Sequence, residues 1–72
     1  METTTEARQK RVEWWSGTSP ELRSAVAARC NTSVATIRQV VYGQRGVSIA
    51  RAKALEAETG LDRRWWLPEA WG

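Results

Sequence analysis

The sequence predicts an all-α fold, a compact bundle of four to five helices. Two observations lead to this prediction: apolar residues recur at helical spacing, and helix-capping residues or glycines separate the stretches in which they do so. No stretch of useful length alternates apolar and polar residues as a strand does. The 72 residues make one domain. We predict it over residues 6–72, with residues 1–5 disordered because they have nothing to bury.

Capping residues divide the chain into five predicted helices, at about 6–15, 20–30, 33–42, 48–60 and 62–66. Short polar side chains accept the free N–H groups at a helix start, and glycine or asparagine adopts the left-handed conformation that ends a helix. Pro20 suits a first helical turn, and Pro68 interrupts the last one. The residues with predicted capping or turn roles are Ser19, Asn31, Thr32 or Ser33, Gly43, Ser48, Gly60 and Asp62.

The apolar side chains of each predicted helix fall on one side. In the third helix, three valines lie within about 60° of Ile37 when successive residues turn by about 100°. Those valines are Val34, Val40 and Val41. The opposite side of this helix carries Ala35, Arg38, Gln39 and Tyr42. In the other helices, the residues predicted to face inward are Val12, Trp15, Leu22, Ala25, Val26, Cys30, Ile49, Ala52 and Leu55.

Composition argues against most catalytic and membrane functions. The chain has no histidine, and it has no cluster of metal ligands or glycine-rich phosphate loop, so we predict no catalytic residue, no metal and no cofactor. No apolar run approaches the roughly 20 residues of a membrane helix, and the first residues lack a signal-peptide pattern. The single cysteine, Cys30, is typical of a reducing cytoplasm and is predicted to be a core residue rather than a redox switch.

Spacing between residues 20 and 42 indicates a helix-turn-helix. Ala27 lies where the first helix must approach its partner closely, and Asn31 occupies the turn position four residues later. Ile37 and Val40 then pack the second helix onto the first. The alternative is an ordinary helical hairpin with a solvated polar face. Outward polar chemistry and charge placement favour the helix-turn-helix.

Positive charge is concentrated in the middle of the chain. Residues 19–54 contain six Lys and Arg against one Glu, a balance of +5. Residues 1–18 balance to zero, with three charges of each sign, and residues 55–72 carry two Arg against four acids, a balance of −2. This distribution favours a polyanionic partner for the central segment.

The central segment also resembles a known group. The pattern is Ala27-Ala28-Arg29-Cys30-Asn31-Thr32-Ser33, then Ile37-Arg38-Gln39-Val40 and Tyr42-Gly43, with Ser48 before a helix that ends in Thr59-Gly60. The stretch 22–60 thereby resembles the lambda-repressor-like, Cro-type helix-turn-helix regulators of phages and bacteria. It is especially similar to the small Cro-like and YdaS-type antitoxin group. The segment Leu67-Pro68-Glu69 of this chain also resembles the ending of that group. Asn31 departs from the glycine usual at the turn.

The resemblance implies a role for each matching residue. Residues implied to face base edges in the major groove are Ser33, Ala35, Arg38, Gln39 and Tyr42. Residues implied to hold phosphates are Arg23, Thr32, Gln44, Arg45 and Arg51. Two assignments stay open. Tyr42 has the alternative of packing its ring, and Arg51, like Lys53, has that of a solvated helix charge.

Five tryptophans occur, four of them in adjacent pairs. Adjacent helical residues point about 100° apart, so both members of a pair cannot easily face inward. One interpretation is that one ring of each pair packs in the core. The alternative interpretation is that the remaining rings form an exposed patch used for self-association. The predicted dimer or partner contacts are Trp65, Trp66 and Trp71.

These features predict a sequence-specific regulator of double-stranded DNA, a phage or prophage Cro-type repressor acting by occupancy of a palindromic operator. We expect a homodimer at least on DNA, in the bacterial cytoplasm or nucleoid, with no membrane association and no small-molecule ligand evident. The alternative is an antitoxin-type or host-interaction protein whose tryptophan-rich C-terminal segment binds a partner protein.

Overall fold

The computed structural model describes the backbone of residues 2–71 and the side chains of residues 5–70. The described backbone forms helices and no strand, which confirms the predicted all-α class. None of these helices combines the length and the apolar character needed to cross a membrane. The helices are α1 (Glu2–Ser16), α2 (Pro20–Arg29), α3 (Val34–Val41), α4 (Ile49–Thr59), α5 (Arg63–Trp66) and α6 (Pro68–Trp71).

Side-chain caps begin four of the helices where the sequence predicts. Each capping oxygen accepts a backbone N–H of the first turn, which otherwise has no partner within the helix. In α3 the cap is Ser33, whose hydroxyl accepts the Thr36 N–H at 3.1 Å, so Ser33 rather than Thr32 fills this role. The other caps are Ser19, Ser48 and Asp62.

The structure differs from the prediction at both ends of the chain. Helix α1 begins at Glu2, within the segment predicted to be disordered. Pro68 ends one helix and starts another, because proline lacks the N–H that a continuing helix needs but fits a first turn. The described residues therefore form six helices instead of four to five. Met1 and Gly72 lie outside the described residues.

Three residues predicted to face inward are exposed. Leu22 is 46% exposed and Ile49 is 52% exposed. Both lie in the first turn of their helix, before the point where the core covers it, since burial begins at Val26 in α2 and at Ala52 in α4. Ala25 is exposed as well. The predicted periodicity is thus correct from Val26 onward in α2 and from Ala52 onward in α4, and wrong before those residues.

One apolar cluster holds the six helices together. It contains residues from α1 to α5 and from the C-cap of α2, and α6 packs against α1 and α5. Val12, Val34 and Tyr42 are half-buried against this cluster. Its buried members are Trp15, Val26, Ala27, Cys30, Ile37, Val40, Val41, Ala52, Leu55 and Trp66.

A tight turn sets the direction in which α3 leaves α2. Asn31 adopts the left-handed conformation, with φ of 57°, as predicted. Its N–H donates to the Ala28 carbonyl at 3.2 Å, and the Thr32 N–H donates to the Ala27 carbonyl at 2.9 Å. This paired bonding satisfies carbonyls at the end of α2 and reverses the chain. The short loop therefore delivers α3 in a defined orientation.

Candidate nucleic-acid interface

Helix α3 has one buried and one exposed side. Ile37, Val40 and Val41 are buried against the other helices. Gln39 lies four residues after Ala35, so the two share one stripe of the helix surface, and Arg38 is adjacent to Gln39. The side chains of Ala35, Arg38 and Gln39 are exposed. The sequence-predicted separation of these two sides is confirmed.

The polar side chains of this surface are not engaged within the protein. Among the described residues, the side chains of Arg38, Gln39, Gln44 and Arg45 make no hydrogen bond or ion pair with another group. All four are exposed. Arginine and glutamine side chains held in this way keep all their donors and acceptors for an external partner.

The end of α3 is closed by the same type of turn as the end of α2. Gly43 has φ of 77°, and its N–H donates to the Val40 carbonyl at 3.1 Å. The Gln44 N–H donates to the Gln39 carbonyl at 2.8 Å. These bonds fix the loop that carries Gln44 and Arg45 directly after the exposed side of α3.

The ion pairs leave most of the central positive charge uncompensated. Three acidic residues near the C-terminus each lie beside an arginine. The pairs are Glu58 with Arg29 at 3.3 Å, Glu56 with Arg63 at 2.9 Å and Asp62 with Arg64 at 3.9 Å. Within the described part of the chain, no acidic group pairs with Arg38, Arg45, Arg51 or Lys53. Four cations without an ion pair thus lie on α3, on the loop that follows it and on the first half of α4, and Arg8 and Lys10 of α1 also have no ion pair among the described residues.

Arg23, predicted to hold a phosphate, is engaged inside the protein. Its guanidinium carbon lies 4.0 Å from the centroid of the Trp15 ring. Its Nε donates to the Thr18 hydroxyl at 3.0 Å, and a terminal nitrogen donates to the Trp15 carbonyl. The structure therefore assigns Arg23 to joining α2 to the end of α1. Spacing cannot reveal this role, because it depends on how two helices pack.

Of the remaining residues predicted to contact DNA, one is exposed and three are half-buried. Ser33 is exposed but uses its hydroxyl as the α3 cap and in a 2.9 Å bond with the Thr36 hydroxyl. Tyr42 is half-buried and packs against the core cluster, which favours the alternative that its ring is structural. Thr32 and Arg51 are half-buried, and the Arg51 backbone N–H donates to the Ser48 cap.

The three tryptophans predicted as dimer or partner contacts do not form one exposed patch. Trp66 is only 3% exposed and meets the Trp14 ring at a centroid distance of 5.5 Å in an edge-to-face arrangement. It is a core residue, which corrects the prediction. Trp65 is half-buried, with the Arg64 guanidinium 4.8 Å from its ring centroid. The Trp71 side chain lies outside the described residues.

Arg11 is a residue that sequence reasoning missed. It is 6% exposed, yet it carries a guanidinium that donates to the backbone of two distant helices. Burial lowers the pKa of Arg11 from its ordinary value, and Arg8 acts in the same direction while Glu69 opposes the shift. The available signal was its position four residues before Trp15 and four after Ala7, on the buried stripe of α1.

No group of three or more His, Cys, Asp and Glu side chains among the described residues could hold a metal ion. Burial raises the pKa of the Cys30 thiol, with Glu58 adding to the shift and Arg51 opposing it, so the buried sulfur is kept in its neutral, unreactive form. What remains on the surface is a helix with free hydrogen-bonding side chains, flanked by unpaired cations.

Comparison of the chain with protein families, curated proteins and solved structures finds no match.

Proposed function

We propose that this chain is a sequence-specific, double-stranded DNA-binding regulator that inserts α3 into the major groove. In this proposal α2, the turn at Asn31 and α3 act as a helix-turn-helix of the lambda-repressor-like, Cro type. The single observation that carries it is the exposed side of α3, where Arg38 and Gln39 are free of partners within the described protein.

The chemistry of this side suits base edges. An α-helix with its side chains is about 10–12 Å wide, and the major groove is about 12 Å wide. Arginine donates two parallel bonds to guanine, glutamine pairs with adenine in a bidentate manner, and the Ala35 methyl suits the thymine methyl. A helix that is merely solvated would need neither these particular side chains nor a turn with two hydrogen bonds that orients them.

The flanking charge suits the DNA backbone. Arg45 is exposed and unpaired in the loop directly after α3, and Arg51 and Lys53 follow in α4. Cations beside a groove-reading helix contact phosphates and set its register without reading sequence. Neutralised phosphates release counterions, so binding should weaken steeply as salt rises.

The proposal includes pairing of two chains on DNA. One reading helix covers few base pairs, and specific regulators reach their affinity by placing two reading helices roughly 34 Å apart on one duplex face. Occupancy of such a palindromic site would block transcription, the action of a repressor. Because Trp66 is buried, the pairing surface has to lie elsewhere, with the half-buried Trp65 as the remaining described candidate.

Selection of bound sites from random duplex DNA tests this function. We expect an enriched palindrome with half-sites one DNA turn apart. The matched control is the double variant Arg38→Ala/Gln39→Ala, in which both replaced side chains are exposed and unpaired, so the fold is preserved. The variant should retain salt-sensitive binding and lose the enrichment. Enrichment of no site at low salt, or of the same site by the variant, would contradict the proposal.

A further inference from the structure

A cleft of about 260 Å³ opens between the loop that follows α3 and the segment of α5 and α6. Apolar side chains line part of it, namely Val40, Trp66 and Leu67. Two arginines and one carboxylate complete the chemically distinctive lining, namely Arg11, Arg45 and Glu69. A partly apolar concavity with a few convergent polar groups is the usual form of a small-ligand site.

Arg11 is the buried charge of this cleft. Its Nε donates to the Val41 carbonyl at 3.2 Å and its Nη1 donates to the Trp65 carbonyl at 2.7 Å. Its Nη2 has no acceptor among the described residues. A Cβ placed on Gly43, which lines the cleft, would lie 3.9 Å from this Nη2. The unused donors of a nearly buried guanidinium therefore face the cleft.

We propose that the cleft binds a small carboxylate with a short apolar body. A carboxylate accepts charge-assisted hydrogen bonds from guanidinium groups, and Arg11 is already held in place by two backbone carbonyls. Arg45 supplies a second, exposed cation at the cleft. The apolar part of the ligand would lie against the half-buried Leu67, beside the buried Val40 and Trp66.

Two kinds of ligand share this chemistry, a simple carboxylic acid and a free amino acid. The ammonium group distinguishes them. Glu69 is the one carboxylate in the described lining, so it would favour an amino acid by pairing with its ammonium group. It would add repulsion against a simple carboxylate. Replacement of Glu69 by glutamine therefore separates the two sources.

The proposed site has a consequence that rests on the proposed function. Arg45 would serve both the ligand and a DNA phosphate, and one guanidinium cannot serve both fully at once. Ligand in the cleft should therefore weaken DNA binding. Because the ligand and the DNA would compete for a shared backbone anchor, the loss should be similar on cognate and random DNA.

Titration of the ¹⁵N-labelled full chain, without DNA, tests the site by NMR. The probes are 4-methylpentanoate, its uncharged amide and L-leucine, which differ only in their charged groups. We expect at least one of the two carboxylates to saturate with Kd of about 1 mM. The Gly43 and Gly46 amides and the Trp66 indole should shift, and the amide probe should leave them unchanged.

Two exposed arginines give a matched pair of variants. Arg45→Gln should weaken carboxylate binding by about fivefold or more. Arg64→Gln lies outside the cleft and should leave binding unchanged. Glu69→Gln should weaken L-leucine binding if the site is for amino acids, and strengthen 4-methylpentanoate binding if it is for simple acids. Equal binding of the amide probe, equal effects of the two arginine variants, or no shifts up to about 20 mM ligand would overturn the proposal.

A DNA titration with and without the carboxylate separates the two proposals. Ligand binding that shifts the cleft resonances but leaves DNA affinity unchanged removes the regulatory link and keeps the site. Failure to bind DNA under any condition counts against the proposed function and leaves the ligand experiment intact. Absence of ligand binding together with normal DNA binding would overturn the ligand site and leave the proposed function intact.

Discussion

The Nε of Arg11, in α1, donates a hydrogen bond of 3.2 Å to the carbonyl oxygen of Val41, the last residue of α3. The last carbonyls of a helix have no N–H donor within that helix, so a buried one needs a donor from elsewhere in the protein. The same guanidinium donates to the Trp65 carbonyl in α5 at 2.7 Å. One side chain thus ties α1 to both helices and holds the end of α3 at a defined distance from them.

Replacement of Arg11 should therefore reduce stability rather than only surface charge. Arg11→Met keeps an unbranched apolar stem but leaves two carbonyls without their donor. We expect a loss of about 2–4 kcal/mol in the free energy of unfolding, measured by urea denaturation. Arg8→Met, on the exposed side of the same helix, is the control and should cost no more than about 0.5 kcal/mol. Equal stability of the two variants would show that the hydrogen bonds of Arg11 contribute nothing.

Trp66→Ala should destabilise the fold severely. The ring is buried and packs edge to face on Trp14, so truncation leaves a large cavity and should cost about 3–5 kcal/mol. Thermal melting followed by circular dichroism measures the loss.

Trp66→Phe is the matched variant. It retains an aromatic ring and removes the indole Nε1, which is buried with no acceptor among the described residues, so it should melt much closer to the parent chain. A Trp66→Ala chain that melts normally and loses only self-association would return this residue to the dimer interface.

Base reading by α3 predicts losses that depend on DNA sequence. Arg38→Ala or Gln39→Ala should each weaken binding to the selected site by about 1–3 kcal/mol. Binding to unrelated DNA should change much less, because neither variant alters the backbone anchors. Fluorescence anisotropy with both duplexes at one salt concentration measures the difference. A uniform loss on the two duplexes would assign these residues to the phosphates instead.

Arg45 and Arg23 form a pair with opposite expectations. Arg45 is exposed and unpaired, so Arg45→Ala should weaken binding on all sequences and reduce the salt slope by about one unit. Arg23 stacks on Trp15 and donates to its carbonyl. Arg23→Ala should instead lower the melting temperature and leave the salt slope unchanged.

A salt series of DNA titrations, combined with thermal melting of the same preparations, distinguishes the two arginines. A reduced slope for Arg23→Ala at normal stability would restore the phosphate contact that the sequence suggested. An unchanged slope for Arg45→Ala would count against any phosphate contact by the loop after α3.

The tryptophan pairs show where sequence reasoning stops. Helical geometry alone indicates that Trp65 and Trp66 cannot both face inward, but it does not say which one does. The choice depends on the angle at which α5 meets α1, where the Trp14 ring receives Trp66. The first turns of α2 and α4 pose the same problem. Periodicity cannot tell whether a neighbouring helix extends far enough to bury Leu22 or Ile49.

The sequence by itself determined the helix limits from α2 to α5, the left-handed turn at Asn31 and the two sides of α3. Each of these depends on caps, glycines and periodicity within about four residues of chain, where local stereochemistry dominates. Tertiary structure alone decided that Arg23 stacks on Trp15 and that the Arg11 guanidinium reaches Val41 and Trp65. These contacts join helices across 30 and 54 residues in the case of Arg11, so they arise only when the helices have packed.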